Sequence, residues 1–228
     1  MQVAPRKNTP EGPVERVDLA LLKENGLIVP GAPPTRISEE FRIVKRHLLL
    51  TAFGGSNQQP IRNGRCILVC SAQPNEGKTF SSVNLALSLA TEPDLEIVLV
   101  DADVAKPEVL SILGIGGGAG LTDALVDPSI DVESLIVRTD IPRLSVLPAG
   151  RQTHNDTELL ASARGKVVSD SLHKIHPNRV VIIGTAPALA ASPASALVNH
   201  VGQVILVVRA DRTSEHELRE AVGMMAGH

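Results

Sequence analysis

Four strand-length runs in this chain are apolar at successive positions rather than alternate ones: CILVCS at 66–71, EIVLVD at 96–101, RVVIIG at 179–184 and QVILVV at 203–208. A strand of that kind must bury both faces, which happens when helices cover a mainly parallel sheet on both sides. Helical stretches fall between the runs: KTFSSVNLALSLAT from residue 78, residues 157–175, and SEHELREAVGMM near the C-terminus. RLSVLPAG at 143–150 reads as a further strand. The alternation predicts an α/β fold, a mostly parallel sheet with helices on both faces. Only Phe41, Phe53 and Phe80 are aromatic, so the core has to be built from Val, Ile, Leu and Ala.

With 228 residues and 43% apolar composition, the chain has room for one such domain and a tail. A formal net charge of −3 argues against a broad nucleic-acid-binding face. No apolar run is long enough to span a bilayer and no leader-like segment opens the sequence, so a cytoplasmic location is expected. Cys66 and Cys70 share one extended run, too far apart to bridge, and read as buried free thiols. Six prolines divide residues 1–36 into an N-terminal extension expected to pack loosely, with a short helix from about Val14 to Glu24. Residues 37–228 form the main domain. In it Ser38 is expected to cap a helix over 37–52 that carries an apolar stripe of Phe41, Val44 and Leu48.

Residues 72–79, Ala-Gln-Pro-Asn-Glu-Gly-Lys-Thr, follow one of the apolar runs and open a helical stretch. That context is what a phosphate-binding loop requires. The main chain from Gln73 through Pro74, Asn75, Glu76, Gly77, Lys78 and Thr79 to Phe80 is expected to wrap phosphate oxygens at the positive end of the helix. Gly77 permits close approach, Lys78 reaches the terminal phosphates and Thr79 ligates Mg²⁺. ATP and Mg²⁺ are thus the expected cofactors. Ala72 stands where the usual pattern begins with Gly.

The run at 96–101 ends in Asp101, and Asp103 follows on the same side of an extended chain. A carboxylate there can hold Mg²⁺ or accept a proton from an attacking hydroxyl. The run at 179–184 ends in Gly184, where many phosphate-loop proteins place an aspartate.

Together SAQPNEGKTFSSVNLALSLA, VLVDADVAKPEVLSILG, GLTDAL, LPAG, ELLAS and GQVILVVRADRT resemble the bacterial tyrosine kinases of exopolysaccharide synthesis, nearest the exosortase-associated tyrosine autokinases. The resemblance runs from about Ile37 to Arg219. It implies a P-loop nucleotide-binding fold, with phosphoryl transfer from ATP to a tyrosine of a partner protein. Lys78, Asp101 and Asp103 would be the catalytic groups, and Thr79 with Asp101 would hold the metal. It further implies assembly into a homo-oligomer through ISEEFRIVKRHLLL, where Glu39, Arg42 and Lys45 match an oligomerisation motif. A membrane polysaccharide co-polymerase would be the activating partner, placing the chain at the periphery of the inner membrane.

Three positions depart from the family pattern. Gly184 and Ala186 replace an aspartate and a proline, Lys45 replaces an arginine, and none of the 228 residues is tyrosine. A nucleotide-binding regulator without catalysis is therefore a second reading. A partition-type positioning ATPase is a third, disfavoured because such proteins carry a second lysine where this chain has Gln73. The GIGGGAG stretch lacks dinucleotide-site spacing and reads as a loop. His173 and His176 are expected on a solvated helix face, and Lys106, Arg209 and Arg212 follow strand tips.

Overall fold

The computed structural model describes residues 13–174, 176–190 and 193–226. The central strands are β2 (Cys66–Ser71), β3 (Glu96–Ala102) and β6 (Arg179–Thr185), buried almost throughout. Around them lie β1 (Val14–Glu15), β4 (Val137–Thr139), β5 (Leu144–Leu147) and β7 (Gln203–Val207). Among the described residues these seven form one sheet, in the order β1-β4-β5-β3-β6-β2-β7. Five neighbouring pairs are parallel and only β4–β5 is antiparallel. The apolar runs thus form the parallel sheet expected of them.

Helices cover both faces. On one side lie α1 (Leu19–Glu24), α2 (Arg36–Phe53), α3 (Lys78–Leu89) and α4 (Val109–Leu113). Leu22, Phe41, Val83, Leu87 and Leu113 pack there against Ile67, Leu99 and Ile182. On the other side α5 (Leu121–Val126), α6 (Asp156–Ala161), α7 (Ala163–Lys174) and α8 (Pro193–Leu197) cover Leu68, Val100 and Ile183. A third, smaller cluster joins Cys70 and Ala72 to Ala221 of α9 (Glu215–Ala226).

Several expectations need correction. The residues between 14 and 27 do not pack loosely: Val17, Leu22 and Leu27 are buried in the larger core. They are held by polar contacts as well, Val17 N donating to Asp140 Oδ1 at 2.9 Å and Ile28 N to Asn84 Oδ1 at 2.8 Å. The expected helix from Val14 begins only at Leu19, capped by Asp18, because Val14–Glu15 pairs with β4 instead. Gly26, at φ +70°, ends it as expected. Residues 1–12 lie outside the described residues.

The cap of α2 is Thr35, not Ser38. Ser38 sits three residues in and closes a reciprocal capping box with Thr35. The buried stripe of α2 holds Phe41, Lys45 and Leu48, whereas Val44 turns outward at 39% exposure. The stretch at 157–175 divides at Ser162 into α6 and α7, and His173 is buried rather than solvated, with Nδ1 2.7 Å from the Ser169 carbonyl. Both cysteines are free and buried, and burial pushes the Cys66 thiol up to about 12 and that of Cys70 to about 11. No helix among the described residues is long and apolar enough to cross a membrane.

Candidate active site

The loop from Ala72 to Gly77 joins the C-terminal end of β2 to α3, where ligands gather in open α/β sheets. Gly77 caps α3 in the left-handed region at φ +95°, and no atom lies within 4 Å of where a Cβ would stand. Asn75 takes a similar conformation at φ +63°, which asparagine tolerates better than most residues. The first turn of α3 carries no acidic residue and no side-chain cap, so its N–H groups and dipole face the loop mouth uncompensated. The helix is rigid behind that mouth. Ser82 to Leu89 are buried, and Ser82 Oγ and Asn84 Nδ2 bond back to the Thr79 and Phe80 carbonyls.

Lys78 Nζ lies 3.1 Å from Asp103 Oδ2, and Thr79 Oγ1 lies 3.4 Å from Glu108 Oε2. Asp103 is held by Lys106 N at 3.3 Å, and Lys106 Nζ pairs with Glu108 Oε1 at 2.8 Å. Asp101 is deeper, 3% exposed, and accepts from Asp103 N at 3.2 Å and Val109 N at 3.0 Å. Burial raises its carboxyl to about 6, against the opposing pull of those N–H groups. Such a group is mostly ionised at neutral pH while remaining a better proton acceptor than an exposed aspartate. The structure therefore brings Lys78, Thr79, Asp101 and Asp103 to one place, as their sequence positions implied.

Other members of the expected set are arranged differently. Gln73 N is engaged by Glu76 Oε2 at 2.8 Å, and Gln73 Nε2 reaches Glu217 Oε1 of α9 at 3.1 Å. Glu76 also accepts from the Thr213 hydroxyl, so the loop is fastened to the turn before α9. Phe80 packs its ring into the larger core, leaving only its main chain on the phosphate side. Gly184 pairs with Asp101 and with Val69, flush in the sheet, so the carboxylates that face Lys78 and Thr79 come from β3 and the residues shortly after it. Glu108, Thr213 and Glu217 were not singled out from the sequence. Only a polar residue close behind the Asp-x-Asp pair signalled Glu108, and nothing local signalled the other two.

Thr79, Asp101, Asp103 and Glu108 supply oxygen atoms, the donor type that Mg²⁺ takes, though Asp101 and Asp103 already spend theirs on main-chain N–H groups and on Lys78. Among the described residues, no group of three or more His, Cys, Asp and Glu side chains is arranged to hold a metal.

The three residues expected at an oligomer contact separate. Glu39 and Arg42 pair with each other on the exposed side of α2 at 2.9 Å. Lys45 points inward, bonding Ser88 O at 3.0 Å, Thr91 Oγ1 at 2.7 Å and Glu92 Oε1 at 2.7 Å, so it fastens α2 to the end of α3.

No protein-family model matches the chain. Tyrosine-protein kinase CpsD of Streptococcus agalactiae is 30% identical over 166 residues, covering 72% of this chain and 69% of that protein. EpsB of Ralstonia nicotianae, named in the same kinase class, is 29% identical over 187 residues, which cover 82% of this chain but only 24% of that protein's length. The crystal structure of the VpsO kinase domain superposes with a TM-score of 0.68 at 31% identity, covering 83% of this chain and 89% of that domain. A phosphate loop facing paired aspartates and relatives matched along most of the domain lead to one assignment: the chain belongs to the bacterial tyrosine-protein kinase family.

Proposed function

We propose that the chain is an ATP-dependent protein tyrosine kinase of capsule or exopolysaccharide synthesis, transferring the γ-phosphoryl group to a tyrosine of another polypeptide. The observation that carries this reading is the facing of Lys78 and Thr79 against Asp103, Asp101 and Glu108 at the mouth of the loop. Main-chain N–H groups of the loop and the start of α3 bind the phosphates, and Lys78 exchanges Asp103 for phosphate oxygen. Mg²⁺, held through Thr79, supplies charge neutralisation at the phosphates when bound. Asp101, with its raised affinity for protons, takes the proton of the attacking phenol. With no tyrosine among the 228 residues, the acceptor lies outside them.

Assembly into a homo-oligomer through the outer side of α2 is part of the same proposal. That side exposes Ile43 and Val44 beside the Glu39–Arg42 pair. The family resemblance adds a membrane polysaccharide co-polymerase as activator and a position at the inner membrane's cytoplasmic side. Gly184 favours a second reading, a nucleotide-binding regulator with little turnover. One assay separates the two: incubation with γ-labelled ATP, Mg²⁺ and a tyrosine-containing partner peptide. Label on tyrosine, lost in Asp101→Asn, is the kinase result. Tight ATP binding without transfer gives the regulator.

A further inference from the structure

Each acidic oxygen at the loop mouth has an identifiable occupant. Asp101 spends Oδ1 on Asp103 N and Oδ2 on Val109 N. Asp103 spends Oδ2 on Lys78 and Oδ1 on Lys106 N. The β6 tip offers no carboxylate, since Gly184 lies there in register with Asp101. Glu108 differs in that one of its two partners is the Thr79 hydroxyl. It stands immediately before α4, next to Val109, whose N–H is held by Asp101, and its carboxylate is only partly covered, with 35% of the side chain exposed. One oxygen meets Lys106, while the other meets the hydroxyl of Thr79, the loop residue placed to ligate a phosphate-bound cation.

We propose that Glu108 is the metal-shell carboxylate of this site, serving from the β3–α4 connection the Mg²⁺ that in many phosphate-loop proteins is served from the strand tip where this chain has Gly184. The proposal rests on the reading of the loop as a Mg²⁺–nucleotide site. It explains how a chain with glycine at the β6 tip keeps a carboxylate against its Thr79 hydroxyl, and it gives Lys106 a supporting part as the group that orients Glu108. Removing an outer-shell partner of this kind costs about 10–100-fold in metal affinity or activity.

Calorimetric titration of ADP into the full chain, with Mg²⁺ and with chelator, tests it in four proteins: wild type, Glu108→Gln, Lys106→Met and Glu108→Gln/Gly184→Asp. Wild type should bind ADP more tightly with Mg²⁺. Glu108→Gln should lose at least about tenfold of that enhancement while keeping its metal-free affinity and its melting temperature. Lys106→Met should retain most of the enhancement, and the double variant should recover part of it. A Glu108→Gln protein with the full wild-type enhancement overturns the proposal, as does a double variant that recovers none of what Glu108→Gln lost. Wild type that binds no ADP under either condition overturns the nucleotide reading and this proposal with it, a result distinct from the other two.

Discussion

Lys78 and Asp103 face each other between the start of α3 and the tip of β3, Nζ to Oδ2 at 3.1 Å, with side chains only 12% and 11% exposed. A buried pair of this kind gains in attraction little more than it loses in desolvation. On the proposed reading, a phosphate that takes over the lysine would replace Asp103 as its partner.

The Asp101 carboxyl makes stability depend on pH. Its value is about 6 in the folded chain against 3.8 ordinarily, so the native state binds its proton more tightly than the unfolded state. Between those two values the native state holds more protons, and unfolding free energy falls as pH rises through the window. The difference between the two values corresponds to on the order of 3 kcal/mol, fully lost above the folded value and fully regained below the unfolded one. Urea unfolding of wild type and Asp101→Asn at pH 4 and pH 7 should show the wild type losing that much relative to the variant. Parallel behaviour of the two proteins would contradict the burial argument.

Gly184→Asp should fold. A Cβ there meets Ser82 Oγ at 3.4 Å and the Val100 carbonyl at 3.8 Å, ordinary contact distances. Its carboxylate would stand in register with Asp101 and add a metal partner at the β6 tip. Mg²⁺-dependent turnover should rise about tenfold or more, and the like charge should push the acid limb of the pH–rate profile upward. A folded variant with unchanged Mg²⁺ dependence and profile would contradict this.

Lys45 and Arg42 predict unequal losses, although the sequence reading grouped them in one motif. Lys45→Met removes a buried ammonium with three partners at the α2–α3 contact and should cost about 2 kcal/mol of stability. Arg42→Ala removes a half-exposed surface pair and should cost no more than about 0.5 kcal/mol. Denaturant midpoints in dilute solution decide it, and equal losses would mean the two lysine-side and arginine-side contacts were misjudged.

Three of the four apolar runs, β2, β3 and β6, are buried on both faces as the pattern requires, and β2 runs over the same residues 66–71 that the sequence marks, whereas β7 lies at the sheet edge and leaves Val204 40% exposed. The phosphate loop and the two aspartates were legible for a related reason, since their chemistry depends on spacing within short segments. What escaped was decided by distant partners. Val14–Glu15 becomes a strand only because Arg138 and Thr139 are beside it, and Lys45 turns inward only because the end of α3 offers it three oxygens. His173 looked like a surface residue because nothing nearby in sequence reveals that Asn63 closes over it. Glu108 reads as one more polar residue until the fold brings it to Thr79.

The most direct test of the account is calorimetric titration of ATP into wild type and Lys78→Met in the presence of Mg²⁺. A site built on one ammonium at the mouth of α3 should lose at least about tenfold in affinity when that charge is removed, since a hydrogen-bonded charge contributes roughly 1.5–3 kcal/mol. Equal affinity of the two proteins would contradict the phosphate-loop assignment on which the kinase reading stands.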